Sequence, residues 1–351
     1  MSRALTTSFR SGRLVTATCA AAVALASCGV AAVHVPLTSG VPSLSIAVPL
    51  RVVGCTGTNA CVAVGTSGPG PGQPPVGEER LPTGGWRAID VPRDTSAMTT
   101  ASSCWTNGCL IGGSQASGDL LWRYDANQQS VVSLTAPPGA QGVMSLNCFA
   151  TLSCAVVDSM GVIGDSRLSF TTNGGASWRG TRSLRWTTGK TVTAVACSDG
   201  SDCIAAATSY RVPAMVEVTH NAGVTWIPLA APTSWHAVSS LDCQLQRCEG
   251  LASNALGVQI IRTQNFGQLW SVVHLTKAAA TDTTNALTCS AWSRCVLVGQ
   301  TSTNGPWLAR LVNHTVKSTA LQYVPSPLLD VSCGPKICAA IGASTLVALR
   351  P

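Results

Sequence analysis

The sequence predicts an all-β chain folded as a seven-bladed β-propeller, and three observations carry that prediction. Fourteen cysteines fall into close pairs, the pairs recur at a near-constant period, and apolar strand-like runs flank each pair. The pairs are Cys55/Cys61, Cys104/Cys109, Cys148/Cys154, Cys197/Cys203, Cys243/Cys248, Cys289/Cys295 and Cys333/Cys338. Successive first members lie 49, 44, 49, 46, 46 and 44 residues apart. A fixed period of that size belongs to architectures in which each repeat is one supersecondary unit that buries its apolar face against the next.

In chain order, the first segment concerns export and is set aside before the fold is read. Arg3, Arg10 and Arg13 make a basic start without an acid, and residues 14–26 follow as an apolar run of small residues. The run ends in Leu25-Ala26-Ser27-Cys28-Gly29, which resembles the bacterial lipobox. That resemblance implies cleavage ahead of Cys28 and a diacylglyceryl group on its thiol, so residues 1–28 read as a lipoprotein signal peptide. Two other readings stay open: an ordinary secretory signal, and an uncleaved helix over residues 14–33, which at 20 residues is long enough to span a bilayer. All three place the body outside the cytoplasm, lipid-anchored to the cell membrane or, alternatively, secreted. Residues 29–42 then read as a tether and residues 43–351 as the propeller.

Charge narrows the partners. The formal net charge of +7 falls to +4 once the three leader arginines are removed, and the remaining cations are scattered. No run has the cationic density that a phosphate backbone demands, so nucleic acid is not an expected partner. With 46% hydrophobic and 11% charged residues the body has ample material for a core.

Each cysteine pair is the centre of a hairpin. Thr191-Val-Thr-Ala-Val-Ala-Cys197 runs into one turn and Cys203-Ile-Ala-Ala-Ala leaves it; the same design gives Asn285-Ala-Leu-Thr-Cys289 and Cys295-Val-Leu-Val-Gly299. With four or five residues between them, the two cysteines sit on facing strands, close enough to bridge, and an exported location permits oxidation. So short a loop removes little chain entropy, about 2 kcal/mol per bridge on that model. A structural zinc site needs such pairs brought together in fours at closer spacing, so no metal is expected. Helical repeats share the period but need long amphipathic stretches, which are missing here.

The second half of several repeats carries a turn signal. It reads Thr171-Thr-Asn173-Gly-Gly175-Ala-Ser-Trp178, then Thr219-His-Asn221-Ala-Gly223-Val-Thr-Trp226, then Thr263-Gln-Asn265-Phe-Gly267-Gln-Leu-Trp270. A short side-chain acceptor caps turn amides, Gly supplies a positive φ and Trp packs beneath. These three segments resemble the Asp-box, or bacterial neuraminidase repeat, with Asn in place of its Asp. The resemblance implies a secreted propeller of the sialidase-like or photosystem II assembly and stability factor-like kind, in which the box is structural. Two hairpins per repeat give the four strands of a blade. After Cys338 too few residues remain for a fourth strand, and residues 43–49 look like the missing one, so the two ends are expected to share a blade.

Function is less legible. Sialidases have six blades and use a Tyr nucleophile paired with Glu, an Asp acid/base and an arginine cluster; here Tyr210 and Glu217 are near in sequence, with Glu217 expected to face solvent from a strand. No nucleophile-elbow, zincin or P-loop pattern occurs, so no catalytic residue and no cofactor is assigned. The loops joining second to third strands, and one blade to the next, should gather on one face. Trp186, Lys190, Tyr210, Arg211, Trp235, His236 and Trp307 are the candidate binding residues there, with Arg80, Arg93, Asp165 and Arg167 beside them. The reading is of a non-catalytic binding or assembly scaffold for a protein or cell-envelope glycan. A carbohydrate or cell-wall binding module, or a sialidase-like hydrolase, is the alternative.

Overall fold

The structure, a computed structural model, describes residues 34–36, 42–45, 49–66, 73–81, 84–93, 97–115, 118–159, 166–180, 191–208, 213–273, 283–313, 315–321, 326–343 and 345–349. Among the described residues there is no helix, and the strands form seven antiparallel sheets. In blade 1 the order from the ring centre outward is Leu50–Cys55, Cys61–Thr66, Pro75–Arg80 and Trp86–Ile89. The same meander recurs in blade 2 (residues 98–133), blade 3 (143–180), blade 4 (191–229), blade 5 (237–273) and blade 6 (283–320). The cysteine turns and the third-to-fourth strand turns lie on one face of the ring, the turn face. The second-to-third loops and the connectors between blades lie on the other, the variable-loop face.

Blade 7 joins the two ends of the chain. Leu328–Cys333, Cys338–Gly342 and Thr345–Leu349 come from the C-terminal end, and Pro42–Ser45 is its fourth strand, Ser43 opposite Val347 and Leu44 opposite Leu346. The expected closure is therefore present over residues 42–45. Outside it a fifth strand, His34–Pro36, pairs back onto Pro42–Leu44, which corrects the reading of residues 29–42 as tether alone. The physical reason is the usual edge problem: a fourth strand leaves unpaired amides and carbonyls that a short hairpin can satisfy.

The strand period of two explains why each blade can pack on both sides. In the second strand of blade 4, Ile204 and Ala206 pack toward blade 5 with Trp235, Val238 and Ile261. Ala205 and Ala207 point the other way, onto Val157 and Leu168 of blade 3. Buried Val, Ile, Leu and Ala thus fill the gaps between blades, with the ring centre left to polar groups.

The cysteine pairs face one another across the first two strands of every blade, and all seven are disulfides: Cys55–Cys61, Cys104–Cys109, Cys148–Cys154, Cys197–Cys203, Cys243–Cys248, Cys289–Cys295 and Cys333–Cys338. The second cysteine of each pair is also a core residue. Cys61, Cys109, Cys154, Cys203, Cys248 and Cys338 are fully buried, and Cys295 is nearly so. The bridges therefore add packing between blades to whatever they contribute through chain entropy. The second strand of a blade lies between two neighbouring blades, so its cysteine packs in the gap: Cys109 in the cluster of Val62 and Trp122, Cys154 in that of Trp105 and Val156, and Cys248 in that of Ile204 and Ile261.

The three Thr-x-Asn-x-Gly turns have a shared geometry. The amides of Gly175, Gly223 and Gly267 donate to Thr171, Thr219 and Thr263 Oγ1 at 2.9, 2.8 and 2.8 Å. Asn173 and Asn221 Oδ1 accept the Ser177 and Thr225 amides, while their Nδ2 groups donate to the same residues' hydroxyls at 2.8 Å. An Asp there would have to accept from the hydroxyl rather than donate to it, so Asn reverses the direction of that bond.

Candidate functional site

The ring centre is a channel of about 520 Å³ walled by the seven first strands. A β-bulge interrupts each of those strands at an equivalent place, and the extra residues are Arg51, Thr100, Met144, Thr193, Ser239, Asn285 and Leu329. Bulges re-aim side chains at sheet edges. Here three of them tie neighbouring blades: Thr100 to the Val143 carbonyl, Thr193 to the Val238 carbonyl, and Asn285 Nδ2 to the Leu328 carbonyl at 2.7 Å. In blades 2 and 6 the residue facing the bulge is a glycine, and the space explains it. At Gly113 and Gly299 a Cβ would overlap the carbonyl oxygens of Met98 and Thr283.

Deeper in the channel a second ring of hydrogen bonds links blade to blade. The residue before the first cysteine accepts the amide of the next blade's first cysteine: Ser103 from Cys148 at 2.8 Å, Asn147 from Cys197 at 2.8 Å, Asp242 from Cys289 at 2.8 Å and Ser332 from Cys55 at 3.0 Å. Asp330 adds a bond from the Val53 amide at 2.9 Å, and Ser240 donates to the Leu287 carbonyl at 3.1 Å. The first strand of a blade has one edge free of backbone partners, and these side chains satisfy it. The sequence reading missed this belt. Its signal, a polar residue immediately ahead of the cysteine in most repeats, emerges only when the repeats are aligned on their cysteines.

Asp158, Asp242 and Asp330 are engaged between blades or along them. Asp242 and Asp330 are pushed by burial up to about 6 despite the amides they accept. Asp158, buried in blade 3, meets Arg167 at 3.3 Å; burial raises its carboxyl to about 6, and burial together with the Asp158 charge raises Asp119 to about 7. Folded-state carboxyls held above their ordinary range contribute stability at low pH and lose it as pH rises through the shifted values. The melting temperature is therefore expected to be higher at pH 5 than at pH 8, falling through the window between about 4 and about 7. Asp199, held low by the Ser201 and Asp202 amides, acts in the opposite sense only below that window. Asp330→Asn, which keeps the acceptor for Val53, should flatten the profile, and a melting temperature that instead rises from pH 5 to pH 8 would contradict these assignments.

A Tyr–Glu pair does exist, though not where the sequence reading looked. Tyr124 of blade 2 donates to Glu79 of blade 1 at 2.6 Å, and Arg87 pairs with Glu79 at 3.0 Å. Both members of the pair are fully buried. Burial, and then the hydrogen bond to Glu79, push the phenol well above its usual range, which is the reverse of nucleophile activation. Glu217 is buried as well, correcting its expected solvent-facing position. Glu217 lies on the third strand of blade 4, which has a neighbouring blade on each side.

The candidate binding residues divide. Trp186, Lys190, Tyr210, Arg211 and Asp165 lie outside the described residues. His236 is exposed on the variable-loop face, as is Arg93. Trp235 and Trp307 are 0% and 2% exposed, so they are core residues rather than contact platforms. Trp235 turns inward from its connector and meets Trp270 edge-on at 5.4 Å, and Trp307 packs with Leu297 and Leu287. An indole at the start of a strand closes the end of a blade interface, an outcome that residue type and loop position do not distinguish from display. Arg80 stands at the turn-face end of its strand, not with the variable loops.

These features define a seven-bladed propeller with a polar channel. No protein-family model matches the sequence, and no curated protein does. Solved structures of similar fold include YCF48 bound to D1 peptide, with a TM-score of 0.61 and 12% identity over 88% of this chain and 96% of that one. YCF48 from Cyanidioschyzon merolae has a TM-score of 0.61 and 14% identity over 91% and 99%. Virginiamycin B lyase from Staphylococcus aureus has a TM-score of 0.63 and 10% identity over 89% and 99%. At such identities the likeness is one of fold.

Proposed function

We propose that the protein is a non-catalytic binding or assembly scaffold, exported and held at the cell membrane by a lipid on Cys28, with a protein or a cell-envelope glycan as partner. The observation that carries this reading is the use made of the acids. Glu79, Asp158, Asp242, Glu249 and Asp330 all hold amides, guanidinium groups or a phenol within the ring. Proton transfer needs such groups free to meet a substrate. The similar structure of YCF48 bound to D1 peptide supports a peptide or protein as the class of partner. Seven disulfides suit an oxidising compartment, and the Asp-box likeness of the three Thr-x-Asn-x-Gly turns suits a secreted propeller. The test has two arms. Cys28→Ser should move the protein from the membrane fraction to the soluble one, and unchanged membrane retention would remove the anchor. Incubation with a sialoside and a panel of other glycosides should give no turnover; hydrolysis abolished by replacing one carboxylate would replace the scaffold with an enzyme.

A further inference from the structure

The face opposite the variable loops carries a group of side chains that the ring itself does not use. Leu245 in the cysteine turn of blade 5 is 79% exposed, and Leu269 in the Asn265 turn of the same blade is 74% exposed. The two turns are joined by the Phe266 amide donating to the Gln246 carbonyl at 2.8 Å. Val224, in the corresponding turn of blade 4, is 67% exposed, and the His220 and Phe266 rings of those two turns stand 5.8 Å apart. Leu245 also has φ of 56°. A bulky residue in the left-handed region costs backbone energy; the cysteine turns of blades 1, 3 and 6 place Asn59, Leu152 and Ser293 there, and Leu152, at 36%, is far less exposed than Leu245. Strain at an exposed apolar tip points to a use for the side chain.

Beside the leucines lies an arginine that is held in place. Arg247 stacks over the Trp292 ring of blade 6 at 5.6 Å from its centroid. Beneath the same ring, also at 5.6 Å, sits the buried Arg262, whose charge is met by the buried Glu249 at 3.0 Å. The order Arg247, Trp292, Arg262, Glu249 therefore runs from solvent to core as one braced column. Arg and Trp on rigid supports at the surface, next to aliphatic tips, are what binding hot spots are made of. The charge is one-sided over blades 5 and 6, while the adjoining turn of blade 4 carries Asp202, taken up by His220 at 2.9 Å. Residues 244–247, 264–270 and 290–294 include Arg247 and Arg294 and no acid, and both arginines are exposed.

We infer that the turn face of blades 5 and 6 is a docking surface for a protein segment that presents carboxylates beside aliphatic side chains. The inference deepens the scaffold reading and rests on it. A lipid surface could meet the same chemistry, but an arginine fixed against Trp292 beside turn-borne aliphatic tips favours a protein, whose hot spots pair with side chains held in place.

The experiment places a photoreactive benzophenone amino acid at Leu245, at Leu269 and, on the opposite face, at Leu256, in the full chain expressed in its own cells. Adducts are identified by mass spectrometry. Positions 245 and 269 should capture a protein segment containing Asp or Glu among aliphatic residues, and Arg247→Glu with Arg294→Glu should cut that yield by about tenfold or more. Adducts to lipid, to a second copy of the chain or to a segment without acids, or a yield unmoved by charge reversal, would overturn the inference. Adducts from position 256 alone would overturn it while leaving the scaffold reading intact. No adduct from any of the three positions would remove both.

Discussion

Deletion of residues 1–45 is expected to destabilise the propeller by about 4 kcal/mol, lowering its melting temperature by roughly 10 °C. The segment lies at the start of the chain, yet Pro42–Ser45 is an interior strand of blade 7, paired on both sides. Its loss leaves Thr345–Leu349 as a bare edge and removes the strand through which the chain ties blade 7 to blade 1, leaving their packing and the Asp330 and Ser332 bonds to hold the junction. A graded series isolates the effect. Deletion of residues 1–33 should leave the melting curve unchanged, and deletion of residues 1–37 should cost little, because His34–Pro36 is paired on one side only. Calorimetry on the three truncated proteins checks the order, and equal midpoints for the first and the last would mean that the ring does not depend on this strand.

The second large effect is at the buried ion pair. Glu249→Gln removes the carboxylate that meets Arg262, whose side chain is 7% exposed, and the Ser293 amide loses an ionised acceptor. Stranding a buried guanidinium costs about 3–5 kcal/mol. The double variant Glu249→Gln with Arg262→Met removes both charges and should recover most of that loss, because an apolar chain of similar length can fill the space under Trp292. Denaturant unfolding of the single and double variants measures this directly. A double variant no more stable than the single would show that packing against Trp292, rather than charge balance, sets the cost.

The architecture was legible because it is written in local periodicity. The cysteine spacing, the paired apolar runs and the three Thr-x-Asn-x-Gly turns each report on contacts made within one hairpin, where sequence distance and spatial distance agree. Ring closure was legible for a related reason: a blade three strands long at one end and a spare strand at the other must meet. The side of a blade that a residue faces is a different matter. Glu217 and Trp307 look like surface candidates by residue type, but a propeller blade has neighbours on both sides, so alternation along its strands does not separate inside from outside. The same holds for Cys109, Cys154 and Cys248, whose pairing is local but whose burial comes from the adjoining blade. Tyr124 and Glu79 come from different repeats, and their pairing depends on how two blades sit together. The column beneath Arg247 draws on the turns and strands of blades 5 and 6 and was likewise invisible, although each of its residues stands near a recognised turn.

The pairing of Ser43 with Val347 also sets an order in time. Each disulfide joins residues five or six apart in sequence, so every first hairpin can close as soon as its own residues have been made, with no distant cysteine needed. The seventh blade cannot. Its fourth strand is made first and its other three last, and nearly the whole chain must be synthesised before they meet. Until then the early strand has only the short His34–Pro36 hairpin for a partner, and its other edge is the point at which nascent chains can pair with one another instead of with themselves.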